Sequence, residues 1–297
     1  MKILVFGSYN IDKVYSLPHL PDKGEMLACD ALETHVGGKG LNQALALKKA
    51  GAEVIAAGMV GPDGGFLTDY LAANGVDVSA VGTCETPTGH AIIGIDPQGC
   101  NQMLVFGGAN RAITEGYCDE VLAKHGDADL LLTQYETSCV EYMLKKAHER
   151  GVKTAVNPSP YADAVKDLPF DCVDYLILNE DEGRRMTGET EETAVLSALS
   201  RMTGAAVILT LGERGALYSD GVRTVKAPAF PVNAVDTTGA GDTFTGYCLH
   251  ALLSGKSPRE ALTVGAAAAA IAVTKKGAAE TVPDRAATEA FLMRNVD

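Results

Sequence analysis

The chain has 297 residues, 46% of them hydrophobic, with 32 Gly, no Trp and a formal net charge of −13. A chain of this length buries about 75% of its unfolded surface and needs no disulfide or metal to fold, and the negative charge argues against nucleic acid or an anionic membrane as a general partner. Its seven cysteines include no C-x-x-C pair, which argues against a disulfide framework or a zinc site and makes a reducing cytoplasm the expected compartment.

The apolar opening Met1–Gly7 is too short for a signal peptide, and no apolar run approaches the ~20 residues of a membrane span. Ile3 to Phe6 predicts a buried first strand ending at Gly7. Gly7-Ser8-Tyr9-Asn10-Ile11-Asp12 follows. The G-x-G-x-x-G of a dinucleotide turn is absent there, which removes an NAD-linked oxidoreductase from consideration. Residues 13–36 are broken by Pro18, Pro21 and Gly24 and read as strands and turns. Gly37-Gly38-Lys39-Gly40-Leu41-Asn42-Gln43-Ala44 opens a helix to about Ala50, stopped by Gly51. Three glycines and a lysine at a helix start suggest close backbone approach to a ligand, although the P-loop pattern is not met.

Val54–Ala57 reads as a strand and Phe66–Asn74 as a helix. Residues 89–107 read as two strands around a type I turn at Asp96-Pro97-Gln98-Gly99. With 13–36 they form a small β element inserted in an α/β chain, either a cover for a site or an oligomer contact. From Thr114 strand and helix alternate, with Ser138-Cys139-Val140-Glu141 read as a capping box and a helix at about 191–202. Such alternation predicts a parallel sheet with helices on both faces. Gln134 and Glu136, Asn157, Asn179 and Glu182, and Thr210 and Gly212 all follow strands, at one edge of that sheet, where open α/β sheets bind ligands.

Asp236-Thr237-Thr238-Gly239-Ala240-Gly241-Asp242 then runs into a helix with an apolar face at Phe244, Tyr247, Cys248, Ala251 and Leu252. The free N–H groups of a first helical turn favour an anion. Asp242 beside them is either a base that takes a proton from a hydroxyl or an N-cap. Ser257-Pro258-Arg259-Glu260 is a capping box that starts an Ala-rich helix to about Thr274, closed by Gly277.

Together these motifs resemble the ribokinase family, the phosphofructokinase-B type carbohydrate kinases, over nearly the whole chain. Residues 236–244 are similar to the family's C-terminal signature and Gly37-Gly38-Lys39-Gly40 with Asn42-Gln43-Ala44 to its N-terminal one. The resemblance implies a single α/β domain, a three-layer sandwich with a mostly parallel sheet and a small β lid at about 13–36 and 89–107. It also implies an ATP-dependent kinase acting on the primary hydroxyl of a sugar, with D-ribose expected first. Fructose, another pentose or a nucleoside remain as alternatives, as does a non-catalytic sugar- or nucleotide-binding protein. In this resemblance Asp242 is the base and Gly239, Ala240 and Gly241 the anion hole. Asn10, Asp12, Gly37, Gly38, Lys39, Asn42 and Glu136 grip the sugar. Asn179, Thr210, Gly212, Glu213, Gly215 and Gly241 serve the nucleotide, and Glu182 organises Mg²⁺. Asp236, Thr238, Ala272, Lys275, Gly277 and Thr281 form the shell of a monovalent cation, K⁺. A homodimer through the lid is implied as well. Leu41 and His90 depart from the family pattern, and both are expected to bear on the sugar pocket.

Overall fold

The computed structural model describes residues 1–295. In chain order, β1 (Lys2–Phe6) leads to β2 (Asn10–Ser16) and β3 (Ala31–Gly37), then α1 (Lys39–Ala50), β4 (Glu53–Val60), α2 (Gly65–Ala73) and β5 (Asp77–Thr83). Two more strands, β6 (Gly89–Ile95) and β7 (Asn101–Phe106), precede α3 (Glu115–His125). There follow β8 (Leu130–Gln134), α4 (Val140–Glu149), β9 (Lys153–Asn157), β10 (Tyr175–Asn179), α5 (Glu180–Thr187), α6 (Glu192–Thr203) and β11 (Ala206–Thr210). An antiparallel pair, β12 (Ala216–Ser219) and β13 (Thr224–Ala227), comes before three helices, α7 (Ala240–Leu253), α8 (Pro258–Ala272) and α9 (Arg285–Asn295).

Nine strands form one sheet in the order β13-β12-β11-β10-β9-β8-β1-β4-β5, parallel from β11 to β5. Its inner strands are apolar at nearly every position because both faces are covered. Successive side chains alternate between two cores. Ile3 and Val5 join α1, α7 and α8 on one face, and Leu4 and Phe6 join α3, α4 and α6 on the other. The second sheet has the order β3-β2-β6-β7 and contains the two segments read as one small β element. β2 leaves the end of β1, and β3 runs directly into α1, so the loops at the carboxyl edge of the large sheet lie where the two sheets meet. Among the described residues no helix is long and apolar enough to cross a membrane.

Several local expectations are corrected. The Ser138 capping box does not form: α4 begins at Val140 behind Cys139 at φ 60°, and the Ser138 hydroxyl instead donates to Arg111 O at 2.9 Å. The capping pattern was satisfied by composition, but the chain enters this helix from a turn tied to the loop at 108–111. The Ala-rich helix ends at Ala272, short of Thr274, because residues 273–277 turn to meet Asp236. The helix after Gly239 has no solvent face of ordinary width: it is buried from Asp242 to Leu249, between α1 and α8. Its Gly246 allows that fit, since a Cβ there would stand 2.5 Å from the Ala46 Cβ. The capping boxes at Asn179/Glu182 and Ser257/Glu260 are both complete, and the first of them opens α5, a helix the periodicity did not announce.

Candidate active site

α7 starts where the sequence placed an anion-binding turn. Its N-cap is Gly239, in the left-handed region at φ 72°, with no side chain capping the first turn. A Cβ at Gly239 would also press on Ala278 at 3.0 Å, whereas one at Gly241 would meet nothing within 4 Å. The chain therefore leaves open space beside the first-turn N–H groups, the end of the helix that favours negative charge.

Asp242 is not the N-cap, which settles the choice between its two readings as far as capping is concerned. It is the third residue of α7, 7% exposed, and its carboxylate turns towards α1. Asn42 Nδ2 donates to its Oδ2 at 3.0 Å and Gln43 Nε2 to its Oδ1 at 2.8 Å. Adjacent residues of one helix thus fix both oxygens of a carboxylate on another, at a sequence separation of about 200. Asn42 Oδ1 is buried with no partner among the described residues. A buried acceptor left unpaired is costly unless a ligand donor completes it.

The other residues expected from the sequence to grip the sugar gather on the strand ends and on α1. Gly38, at φ 98°, and Gly40 lie against the backbone of Ser8, where added Cβ atoms would stand 2.6 and 2.5 Å from Ser8 O and N. The close approach expected of these glycines is thus made first to the chain itself, seating α1 on the β1–β2 loop. The Ser8 hydroxyl donates to Glu136 Oε2, and Lys39 N–H reaches the same oxygen at 3.3 Å. Asn110 holds Asn10: its Nδ2 donates to Asn10 Oδ1 at 2.8 Å while its Oδ1 accepts from Tyr9 N–H at 2.9 Å. Ser8 and Asn110 were not singled out in the sequence; each is an ordinary polar residue until the fold supplies its partner.

Charge is concentrated here. Burial alone would lower the Lys39 ammonium, but Asp242, Glu136, Glu182 and Asp12 around it hold it above its ordinary value. Burial is the main cause that lifts the Asp12 carboxyl to about 6; Glu136 and Glu280 push it the same way, while His35 and Lys39 oppose them. His35, on β3, stands 3.5 Å from Glu280.

On the other side of the turn, Asn179 Oδ1 accepts from Glu182 N–H at 2.9 Å and Glu182 Oε2 from Asn179 N–H at 3.0 Å. Glu182 is 8% exposed. Thr210 ends β11, and Gly212, Glu213 and Gly215 form the turn after it, with Leu211 N–H closing on Gly215 O at 2.8 Å. Glu213 is exposed and takes part in no ion pair among the described residues; its neighbour Arg214 joins Glu180 and Glu192 instead. Asp236 accepts from Thr238 N–H and hydroxyl at 2.9 and 2.7 Å and from Gly277 N–H at 3.0 Å. Burial raises its carboxyl, but these donors outweigh burial and leave it below the ordinary value. Val273 O accepts from Val235 N–H at 2.7 Å, and the Thr281 hydroxyl donates to Ala278 O at 2.8 Å. Asp236 and Thr238 thereby face the end of α8 at Ala272 and the turn after it, which carries Lys275, Gly277 and Thr281.

The expectation for His90 and Leu41 is corrected. In the parallel register Asp12 pairs with Ala91 and Ile11 with His90, so His90 lies on the sheet face opposite Asp12 and packs on Phe106 at 5.1 Å. Leu41 is wholly buried in the core under α1.

Residues 1–285 match the pfkB family of carbohydrate kinases. This chain belongs to that family. A ribokinase of Haemophilus influenzae is 36% identical over 300 residues, covering 98% of each chain. A deoxyribokinase of Salmonella typhi is 30% identical, covering 95% of this chain and 96% of its own. The solved structure of Arabidopsis thaliana ribokinase complexed with ribose and ATP superposes with a TM-score of 0.90 at 32% identity, covering 98% of both chains. The protein is accordingly an ATP-dependent sugar kinase on the ribokinase-like α/β fold.

One pH effect follows from Asp12. As a carboxylate it accepts from hydroxyl donors through both oxygens, and protonation turns one of those oxygens into a donor. The sequence resemblance puts Asp12 among the residues that grip the sugar; with its carboxyl raised to about 6, that role predicts that KM for the sugar rises as pH falls through about 6, with kcat less affected, and initial rates from pH 5 to 8 check this. An unchanged KM across that range would remove Asp12 from the sugar contacts. For folding the sign is opposite: a raised carboxyl stabilises the fold below its ordinary value of 3.8, and that contribution is lost as pH rises through about 6.

Proposed function

We propose that the kinase transfers the γ-phosphoryl group of ATP to the primary hydroxyl of a pentose, D-ribose, giving D-ribose 5-phosphate. The observation that carries this reading is the seat of Asp242, a buried carboxylate held by Asn42 and Gln43 beside the uncapped start of α7. Asp242 takes the hydroxyl proton as the sugar oxygen forms its bond to the γ-phosphorus; the bond from that phosphorus to the bridging oxygen breaks, and ADP leaves. The turn Gly239–Ala240–Gly241 offers N–H groups to the charge on the transferring phosphoryl oxygens. Asn10, Asp12, Gly37, Gly38, Lys39, Asn42 and Glu136 hold the sugar. Asn179, Thr210, Gly212, Glu213 and Gly215 line the nucleotide's path, with Gly241 at its phosphate end.

Mg²⁺, when bound with the nucleotide, neutralises phosphate charge. Both Glu182 oxygens already accept a hydrogen bond, so the residue suits a carboxylate that meets the ion through water better than a direct ligand. Asp236, Thr238, Ala272, Lys275, Gly277 and Thr281 would hold K⁺ mainly through backbone carbonyls, hard oxygen donors that suit an alkali cation. Seven free cysteines suit a reducing cytoplasm.

The similarity to both a ribokinase and a deoxyribokinase makes the acceptor an experimental question. ADP release from Mg·ATP should be measured with ribose, deoxyribose, arabinose, fructose, tagatose and nucleosides, each in K⁺ and in Na⁺. Ribose is expected to give the highest kcat/KM, with faster turnover in K⁺. A preference for deoxyribose or a ketohexose would overturn ribose and keep the kinase, and equal rates in the two salts would count against the cation shell.

The four-stranded sheet is the lid in this reading, and its surface supports a partner. Leu32, Ile92, Met103, Leu104, Val105 and Phe106 are all exposed on it. Strand alternation puts Leu32, Ile92, Leu104 and Phe106 on one face of it and Met103 and Val105 on the other; the first group, an apolar face on an otherwise strongly acidic chain, suits a second copy of the same chain, joined as a homodimer. Light scattering after size exclusion is expected to give a dimer, and Leu104→Asp with Phe106→Lys, both on that face, a monomer; a monomeric wild-type chain at micromolar concentration would contradict it.

A further inference from the structure

Gln43 makes no contact of a kind that explains itself by packing. It is 0% exposed, and every polar group of its amide is used. Its Nε2 donates to Asp242 Oδ1 at 2.8 Å and to Asn157 Oδ1 at 2.9 Å, while its Oε1 accepts from Gln134 Nε2 at 2.7 Å. The orientation is therefore determined. An inverted amide would set its oxygen against two acceptor oxygens and its NH₂ against another NH₂.

The chain of bonds continues past Gln43. Asn157 Nδ2 donates to Ser159 Oγ at 3.1 Å and to Ile177 O at 2.9 Å, and the Ser159 hydroxyl donates to Glu182 Oε1. From Gln43 to Glu182 every donor points the same way, and the path ends on a carboxylate at each side. Gln134, Asn157, Ser159, Glu182 and Asp242 are each 8% exposed or less. In so dry a setting hydrogen bonds are directional and mutually reinforcing. The path links five elements: α1, α7, the ends of β8 and β9, and the start of α5.

We infer that Gln43, anchored by Gln134 and extended through Asn157 and Ser159, is a positioning residue that fixes the Asp242 carboxylate relative to Glu182. This rests on the reading of Asp242 as the base. A carboxylate on the first turn of α7 has rotamer freedom, and Asn42 is also free to exchange its bond for one to the sugar. Gln43 is then the partner that keeps the base aimed while the hydroxyl arrives, and small errors in such aim are costly in rate.

The test is a double-mutant cycle in the full-length kinase with Mg·ATP and ribose. Asp242→Asn alone is expected to lower kcat by ~10²–10⁴. Gln43→Met, close in volume and without polar atoms, is expected to lower kcat by about 10- to 100-fold. The ribose dissociation constant, measured by calorimetry without nucleotide, should stay within about threefold. In the Asp242→Asn background, Gln43→Met should change the residual kcat by less than about threefold, because a residue that acts only through the base has nothing left to aim. Ser159→Ala, a smaller change at the far end of the path, should show the same pattern with a smaller loss, and serves where Gln43→Met does not fold. Equal losses in both backgrounds, or undiminished kcat in Gln43→Met or in a folded Ser159→Ala, would overturn the inference. Wild-type turnover by Asp242→Asn alone would overturn the assignment of the base and the inference with it.

Discussion

The hydrogen bonds from Asn42 and Gln43 to Asp242 are the constraint on which the site depends. They join two helices that carry the two signature stretches of the chain, and they do so in the interior. A carboxylate that is buried must be paired or hydrogen-bonded to remain useful as a base. Here its donors come from neutral amides, so it is fixed without being neutralised by a cation. Lys39 lies in the same field of carboxylates, which keeps positive charge near the place where a phosphoryl group would come.

This pairing explains features of the fold at a distance. α1 must seat tightly on the β1–β2 loop for its second turn to reach α7, and Gly38 and Gly40 allow that by giving the Ser8 backbone room. α7 must lie flat against α1, and Gly246 removes the side chain that would hold them apart. The burial of α7 from Asp242 to Leu249 follows from the same demand. Strands β2 and β3 of the small sheet both precede α1, and β3 runs directly into it, so any movement of that sheet is felt at Asp12, on β2, and at Lys39, the first residue of α1.

Much of this was legible in the sequence because the signals are local. The glycine turn before Asp242, the strand-end polar residues and the alternation of strand and helix each occupy a few adjacent residues. The parallel sheet follows from that alternation. What stayed hidden depends on partners far along the chain. Ser8, Asn110 and Ser159 are common polar residues, and only the fold brings them to Glu136, Asn10 and Glu182. Gln43 was visible as part of a motif, but its bonds to Gln134 and Asn157 span about 100 residues. His90 shows the opposite case: it lies on the small sheet as its segment predicts, but the register puts it on the face opposite Asp12. At Ser138 the local pattern was met and the tertiary contact to Arg111 took its hydroxyl.

The central claim is that Asp242 faces the acceptor hydroxyl with the phosphoryl group on the turn before it. A crystal structure with ribose and a non-hydrolysable ATP analogue tests it most directly. The account predicts the primary hydroxyl oxygen within about 3 Å of an Asp242 carboxylate oxygen, a hydrogen-bonding distance for a base, and the γ-phosphate against residues 239–241. A sugar whose primary hydroxyl points away from Asp242, with the terminal phosphate off that turn, would contradict it.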